Sequence, residues 1–300
     1  MQPENKKAAY IALALVSFFW GTTYLATRIG VQYSHGVLLA AIRQLSAGSC
    51  LFLYCLAKGY KMPDRKTFWQ VSLIGFVMIT LSNGLMTWGM HYITSGMCAI
   101  MAAMGSLWVV FFSHILIKKI TFNKTLIAAL ITATVGIFCI FYENLGDFLN
   151  ADYIFGIVIV ACAVATWSLG SVVTSKWKPN IDLILSASLQ MLVGGSFMAI
   201  IALCMGVDNL FFKPLGWEYV YSIAYLVVFG SFVAYSAFLY TLNNLPATQA
   251  SLYTYINPIV AVILGWLILS EPLSLLTFVG MFLTLGGVYY TNRELAMLKK

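Results

Sequence analysis

The chain has 300 residues, of which 61% are hydrophobic and 9% are charged, and its mean hydropathy is +0.88. A soluble domain carries about 25% charged residues, so this composition excludes a soluble globular protein. The net charge of +7 comes from Lys and Arg residues that lie mostly at the ends of the predicted helices on one side of the membrane. We therefore do not read this charge as a sign of nucleic-acid binding.

Ten apolar stretches follow one another along the chain, and each can cross a bilayer as a helix of about 20 residues. They cover residues 8–30, 36–57, 68–89, 94–117, 123–142, 153–175, 182–206, 217–241, 247–269 and 273–291. These stretches do not show the alternation of apolar and polar residues that is typical of the strands of a membrane β-barrel. In lipid, a helix satisfies its backbone hydrogen-bonding groups within the segment. The first stretch is too long for a cleaved signal peptide and lacks a small-residue cleavage site. The predicted fold is therefore an all-α membrane protein with ten transmembrane helices.

The positions of Lys and Arg predict how these helices are oriented. With the N-terminus in the cytoplasm, 14 of the 17 basic residues lie on the cytoplasmic side, as the positive-inside rule requires. They are Lys6, Lys7, Lys58, Lys61, Arg65, Lys66, Lys118, Lys119, Lys124, Lys176, Lys178, Arg293, Lys299 and Lys300. The opposite side carries only Arg28 and Lys213, and Arg43 lies within a helix. Both termini are therefore predicted to be cytoplasmic.

The two halves of the chain resemble each other. Trp20 aligns with Trp167 at a shift of 147 residues (167 − 20), and the fourth and ninth helices align at a shift of 153. Because each half contains five predicted helices, an odd number, the second half must enter the membrane from the opposite side. We therefore predict two inverted repeats, 1–147 and 148–300, which are typical of carriers.

Corresponding helices are expected to be interrupted at Gly105 and Pro258, which are related by the shift of 153 (258 − 105). Proline removes a backbone donor, and glycine allows close approach of backbone or ligand. Carriers of this kind bind substrate near such interruptions, which makes both positions binding candidates. The alternative is a kink that only serves helix packing.

Side chains at the depth of these interruptions supply the other binding candidates. Aromatic walls suit flat apolar molecules or organic cations, and buried amides need hydrogen-bond partners. The alternatives are an aromatic belt at the membrane interface and hydrogen bonds between helices. The candidates are Trp20, Tyr24, Asn83, Met101, Trp108, Trp167, Tyr235, Thr254 and Asn257.

Arg43 is the clear charge within a predicted span, and intramembrane charges often mark function. It could bind a substrate carboxylate; alternatively it reaches the interface along its alkyl stem or pairs with Glu271 or Asp152. Arg28 and Glu271, near helix ends, are candidates for gating. No Asp or Glu lies in the middle of a predicted span, so the sequence does not indicate how transport is coupled to energy.

Other function classes find little support in the sequence. It contains no HExxH, GxSxG, P-loop or GxGxxG motif, and no pair of carboxylates lies inside the predicted spans. The six cysteines and three histidines do not form a metal-binding pattern. We expect neither enzymatic activity nor a metal or cofactor, and the short loops leave no room for a sensor domain.

Four motifs occur in a characteristic order: Trp20 to Tyr24 (WGTTY), Arg43, Asn257-Pro258, and Gly265 to Glu271-Pro272. Because these motifs occur in this order, the chain resembles the EamA-type transporters of the drug/metabolite transporter superfamily. The resemblance implies ten helices in two inverted halves and a central cavity lined by helices 1, 3, 4, 6, 8 and 9. It also implies export of amino acids, related metabolites or toxic organic compounds across the bacterial inner membrane. Lys118 departs from the family, which often has an acid after helix 4.

The predicted function is that of an inner-membrane, alternating-access exporter of amino acids or related small metabolites. The alternatives are efflux of aromatic or cationic xenobiotics and, less favoured by the residues, a membrane sensor or membrane-embedded enzyme. The expected partners are a small-molecule substrate and membrane lipid, without nucleic acid, and the expected state is a monomer or a weak dimer.

Overall fold

Long helices make up the protein in a computed structural model that describes residues 3–117, 123–143, 150–206, 211–212, 214, 216–245, 250, 253–271 and 273–297. Within these residues there is no β-strand, and a single isolated bridge joins Ser34 to Phe211. The prediction of an all-α protein is confirmed. The helices are α1 (Pro3–Gly30), α2 (Gly36–Ala57), α3 (Arg65–Gly89), α4 (Ser95–Ala103 and Gly105–Ile117), α5 (Lys124–Glu143), α6 (Ala151–Trp177), α7 (Leu183–Cys204), α8 (Trp217–Asn244), α9 (Tyr253–Leu269) and α10 (Leu275–Met297).

Seven of these helices are long and apolar enough to cross a membrane, namely α1 to α4 and α6 to α8. Helices α5, α9 and α10 carry shorter apolar stretches, over 124–136, 256–269 and 275–291. The described residues thus agree with a helical membrane protein, while ten spans, inverted repeats and cytoplasmic termini stay predictions. The predicted boundary between residues 147 and 148 lies outside the described residues, as do Lys118 and Pro272.

Large apolar side chains cover the outside of the helix bundle. Leu203 is 67% exposed and Leu53 is 63% exposed, and Ile200 and Leu267 are also exposed. A soluble protein rarely exposes so much apolar surface. These side chains are suited to contact lipid tails.

Helix contacts follow a pattern that relates the two halves. Helix α1 packs against α8 and α9, and α6 packs against α3 and α4. In addition α2 packs on α7, and α5 packs on α10. Exchanging each helix of the first half with its counterpart in the second half leaves this set of contacts unchanged.

Two of the long helices change to π-helical hydrogen bonding in their middle. The π-helical segments are Phe76–Asn83 in α3 and Leu226–Val233 in α8, each eight residues long. Their starts differ by 150 positions (226 − 76), so they fall at similar places in the two halves. Such segments are rare and often occur at functional sites. The sequence analysis did not predict them, because π-helical turns have no established sequence signal.

Helices α5 and α10 meet through small residues. A Cβ atom added to Gly287 would collide with the backbone of Ala133, and one added to Gly136 would collide with that of Thr284. Small residues let helix backbones approach closely in a membrane. Gly287 is therefore required by packing, whereas a Cβ at neighbouring Gly286 would meet no described atom within 4 Å.

This contrast predicts opposite outcomes for two adjacent substitutions. Gly287→Ala is expected to destabilise the protein by about 1–3 kcal/mol because it overpacks the α5–α10 contact. Gly286→Ala is expected to be neutral or slightly stabilising, since alanine favours the helix. The melting temperatures of the two purified variants in detergent check this expectation. Equal melting temperatures would contradict the close approach of helices α5 and α10.

Candidate functional site

A cavity of about 130 Å³ lies between eight helices, α1 to α4 and α6 to α9. The sequence analysis expected helices 1, 3, 4, 6, 8 and 9 around it, so α2 and α7 are additions. The cavity is comparable in size to one of about 150 Å³ that accommodates benzene in another protein. The predicted candidates that line it are Trp20, Tyr24, Arg43, Asn83, Trp167, Tyr235, Thr254 and Asn257.

Aromatic rings from both halves of the chain form one wall. The ring centroid of Trp20 lies 5.4 Å from that of Trp167 and 5.1 Å from that of Tyr253, in both cases edge to face. Phe238 is buried behind them, 4.9 Å from Trp20. Edge-to-face contacts of this length stabilise a fixed arrangement of rings. The residues aligned at the start of each repeat, Trp20 and Trp167, are thus in contact.

The polar atoms of these rings are occupied within the protein. Trp20 Nε1 donates to the carbonyl of Gly230 at 3.1 Å, and Trp167 Nε1 donates to the Tyr253 hydroxyl at 3.2 Å. Tyr235 donates to Gln190 Oε1 at 2.6 Å. What the wall offers to a ligand is therefore mainly ring surface.

Arg43 brings a positive charge to the cavity. Its side chain is only 7% exposed, and its Nε donates to Ser231 Oγ at 3.0 Å. Among the described residues its terminal nitrogens have no acceptor, and the residues lining the cavity include no Asp or Glu. Arg43 pairs with neither Glu271 nor Asp152 in the structure. Its guanidinium therefore has spare donors and no counter-ion in the described part of the chain.

Gln190 is the residue that the shift of 147 positions aligns with Arg43 (190 − 43), and it is uncharged. Gln190 is 1% exposed, accepts from Tyr235 and donates to Ser186 Oγ at 3.0 Å. It is engaged behind the aromatic wall and does not line the cavity. Among the described lining residues, the charge therefore comes from the first half.

Sequence analysis missed several residues of this site. Gly230 and Ser231, on the π-helical segment of α8, bind Trp20 and Arg43. Gln44 also lines the cavity and donates from Nε2 to Asn83 Oδ1 at 3.1 Å. Single polar or glycine residues carry little signal in an apolar helix, so only the fold reveals their role.

Asn257 joins α9 to α1. In the orientation that satisfies its surroundings, its amide nitrogen donates to the carbonyls of Tyr253 at 3.1 Å and Ser17 at 2.6 Å. The Tyr253 carbonyl is one turn before Asn257, close to the site where Pro258 removes a backbone donor. One end of the Asn257 amide thus serves helix packing, as expected for many polar groups in membranes.

Four of the predicted cavity residues do not line the cavity, namely Met101, Gly105, Trp108 and Pro258. Helix α4 is interrupted at Met104, as the glycine suggested. The Gly105 carbonyl, however, accepts from Ser168 Oγ at 2.9 Å. Met101 is buried in the core and Trp108 stacks on Phe112. The interruption of α4 thus serves its packing against α6.

Arg28 and Glu271 meet at one end of the bundle, where they join three helices. Glu271 accepts from the backbone N–H of Ser95 at 2.9 Å, from Ser95 Oγ at 2.9 Å and from the N–H of Gly96 at 3.3 Å. Arg28 Nε lies 4.0 Å from Glu271 Oε1, and Arg28 also donates to the Met90 carbonyl. A carboxylate at a helix N-terminus is favourable because it complements the free N–H groups.

The comparison with protein families decides what kind of protein this is. The model of the EamA-like transporter family matches residues 7–142 and 154–293. The chain belongs to the EamA-like transporter family.

Relatives of this EamA-like chain occur in bacteria and archaea. The uncharacterized inner membrane transporter YedA of Escherichia coli K12 is 29% identical over 264 residues, which cover 88% of this chain and 83% of YedA. The uncharacterized transporter YvbV of Bacillus subtilis is 24% identical, covering 98% and 94% of the two chains. An uncharacterized transporter of Archaeoglobus fulgidus is 26% identical, covering 95% and 99%.

A crystal structure supports the fold of this EamA-like chain. It superposes with a TM-score of 0.70 at 17% identity, covering 98% of this chain and 99% of the other. At this identity the likeness concerns the fold alone.

His35 adds a pH-sensitive contact near the Arg28 end of the EamA-like bundle. Its Nδ1 accepts from the N–H of Val37 at 3.3 Å and so caps α2. The pKa of His35 is lowered from its usual value, first by burial and then by nearby His91. A protonated Nδ1 cannot accept this bond.

The lowered pKa predicts the sign of a pH effect. The neutral ring stabilises the fold above the ordinary histidine pKa of about 6.5, and this contribution is lost as the pH falls through the lowered value. Between about pH 7.5 and pH 5 the wild type should therefore lose more thermal stability than His35→Asn, which keeps a capping side chain without titrating. Parallel melting curves of the two proteins would contradict this expectation.

Proposed function

We propose that this protein is an inner-membrane, alternating-access transporter that exports amino acids or related small metabolites. The observation that carries the proposal is the buried Arg43 guanidinium, which lines the cavity without a carboxylate partner among the described residues. A buried charge is costly unless it is paired. A substrate carboxylate supplies the missing counter-ion.

Charge distinguishes this cargo from organic cations. The described residues that line the cavity include Arg43 but no acid, so a cation entering the cavity meets a like charge that no described carboxylate offsets. The aromatic wall attracts cations only weakly, by about 0.5–2 kcal/mol. Small carboxylates with an apolar body suit both the guanidinium and the rings.

Efflux of neutral aromatic xenobiotics is the second candidate. It is favoured by the cluster of Trp20, Trp167 and Tyr253, three aromatic residues that contact one another and line the cavity. It leaves the Arg43 charge without a partner, and we rank it lower for this reason.

The proposed architecture has ten transmembrane helices in two inverted five-helix repeats with cytoplasmic termini. Three observations support it: the family model matches each half, the helix contacts are unchanged when the halves are exchanged, and both halves contain a π-helical segment. The relative YedA is named an inner membrane transporter, which supports the same location. We propose that the halves rock around the cavity and that the protein acts as a monomer or a weak dimer.

Counterflow in vesicles tests the proposal. Purified protein is reconstituted and offered labelled L-amino acids, their des-amino acids and organic cations, with and without a pH gradient. We expect uptake of amino acids or other small carboxylates into preloaded vesicles. Movement of organic cations alone would favour the xenobiotic alternative, and movement of none of these solutes would overturn the proposal.

A further inference from the structure

Gly230 lies where the charge and the aromatic wall of the cavity meet. Its carbonyl accepts from Trp20 Nε1 at 3.1 Å, and the next residue, Ser231, accepts from Arg43 Nε at 3.0 Å. A Cβ atom added to Gly230 would lie 2.7 Å from Arg43 Nη2 and 3.3 Å from Arg43 Cζ. One short stretch of α8 thus contacts both parts of the candidate site.

The π-helical segment of α8 makes the Gly230 carbonyl available to Trp20. In an α-helix, the N–H of Ala234 would donate to the carbonyl four residues earlier, which is that of Gly230. In the structure the N–H of Ala234 donates to the carbonyl of Phe229, five residues earlier. The indole N–H of Trp20 is the donor to the Gly230 carbonyl instead, and a buried carbonyl needs such a partner.

The missing side chain of Gly230 leaves the space that the Arg43 guanidinium occupies. A distance of 2.7 Å is far inside the ~3.5–4.0 Å of an ordinary van der Waals contact. The end of an arginine side chain can move aside, whereas a helix backbone cannot. A side chain at position 230 should therefore displace the charge and leave the fold in place.

The corresponding position in the first half differs. Thr80 stands 150 positions before Gly230 (230 − 80), at the same place in the π-helical segment of α3. Its hydroxyl donates to the carbonyl of Gly194 on α7 at 3.1 Å. The glycine therefore occurs in the half whose π-helical segment packs against an arginine, and a side chain that bonds a neighbouring helix occurs in the other.

We propose that Gly230 is the positioning residue of the carboxylate site, because it determines where the Arg43 guanidinium lies relative to the aromatic wall. This inference rests on the proposed function, since it concerns the site at which Arg43 binds a carboxylate. The bare Cα of Gly230 admits the guanidinium, and its carbonyl holds the Trp20 ring. A single residue of α8 thus sets the spacing between the charge and the rings.

The Gly230→Ala variant, purified in detergent, tests this inference. The probes are benzoate, 3-phenylpropionate and L-phenylalanine, each beside its primary amide, which has a similar shape without the carboxylate. Dissociation constants are measured by tryptophan fluorescence and checked by ligand-induced shifts in melting temperature. The best carboxylate should bind the variant about tenfold more weakly than the wild type, as expected when a hydrogen bond to a charged group is lost. Its amide should bind both proteins alike.

Three further variants assign the loss to the contact with Arg43. Gly286→Ala is the matched control and should leave both ligands unchanged, because no described atom lies within 4 Å of the added Cβ. Arg43→Lys keeps the charge without the planar fork, so Gly230→Ala should cost little affinity in that background. Thr23→Ser removes the methyl group that the added Cβ would approach to 2.8 Å, and the tenfold loss should persist there.

Melting temperatures without ligand test the same contact independently of transport. With arginine at position 43, Gly230→Ala should lower the melting temperature by about 2–4 °C, the shift expected for mild overpacking in a chain of this size. In the Arg43→Lys background this decrease should be absent, since alanine favours a helix over glycine. Neighbouring residues are expected to show such non-additive effects.

The outcomes separate this inference from the proposed function. Unchanged carboxylate affinity of Gly230→Ala, or an equal loss for the carboxylate and its amide, would overturn the role of Gly230 and leave the carboxylate site of Arg43 standing. A loss that disappears in the Thr23→Ser background would also overturn it, because the added Cβ would then act through α1. If the wild type binds none of the carboxylates, the proposed function fails. The melting temperatures then decide whether Gly230 positions Arg43, and equal decreases with arginine and with lysine would show that it does not.

Discussion

The Arg43→Gln variant is expected to bind carboxylate substrates about a hundredfold more weakly than the wild type, the usual result of removing one partner of a buried charge pair. Among the described residues, Arg43 is the cation that lines the cavity, and none of the lining residues is an acid. Since the substitution also removes a buried charge without a counter-ion, it should not lower the melting temperature. Substrate affinity and stability of the purified variant are to be measured together.

Two controls give this result its meaning. Arg28→Gln changes a cation that lies outside the cavity wall, so it should leave carboxylate affinity within a few fold. A neutral ligand without a carboxylate should bind wild type and Arg43→Gln alike. Unchanged affinity of Arg43→Gln for the best carboxylate would show that Arg43 has only a structural role.

The Glu271→Gln variant is expected to lower the free energy of unfolding by about 2 kcal/mol, because bonds from N–H and O–H groups to a charged acceptor are among the stronger ones. Glu271 accepts three such bonds from Ser95 and Gly96 at the start of α4. A neutral amide keeps one acceptor and turns an N–H group towards these donors. Thermal unfolding in detergent measures the loss.

A graded pair of variants tests the same contact. Ser95→Ala removes the hydroxyl donor only and should cost about 1 kcal/mol. Arg28→Gln should cost less than Glu271→Gln, because a partly exposed ion pair at 4.0 Å contributes little. If Glu271→Gln is as stable as the wild type, Glu271 does not hold α4 to the end of α9.

Several features could be predicted from the sequence because they depend on local composition. Runs of apolar residues predicted helices, since lipid leaves backbone groups no other partner, and the all-α fold is confirmed. The break near Gly105 was also predicted, because glycine and proline weaken a helix locally. The orientation of the helices stays a prediction from the Lys and Arg positions.

The candidate site could be predicted only in part. Eight of the predicted residues line the cavity, including Trp20, Arg43 and Trp167. The same reasoning placed Trp108 there, although this ring stacks on Phe112 elsewhere. The depth of a residue in the membrane follows from its position in the sequence. Whether its side chain faces the cavity depends on how its helix packs.

By itself, the sequence determined the class of this protein: a helical membrane protein with related halves and one basic residue within a predicted span. Composition and spacing suffice for these features, because each depends on residues close together in the chain or on shifts of 147 and 153 residues between the halves. The tertiary structure alone decided the partners of the charged and polar groups. Glu271 reaches Ser95 after a turn in which Ser270 has a φ of 53°, and Ser231 meets Arg43 through a π-helical segment. Such contacts join residues more than a hundred positions apart, and only the packing of helices brings them within hydrogen-bonding distance.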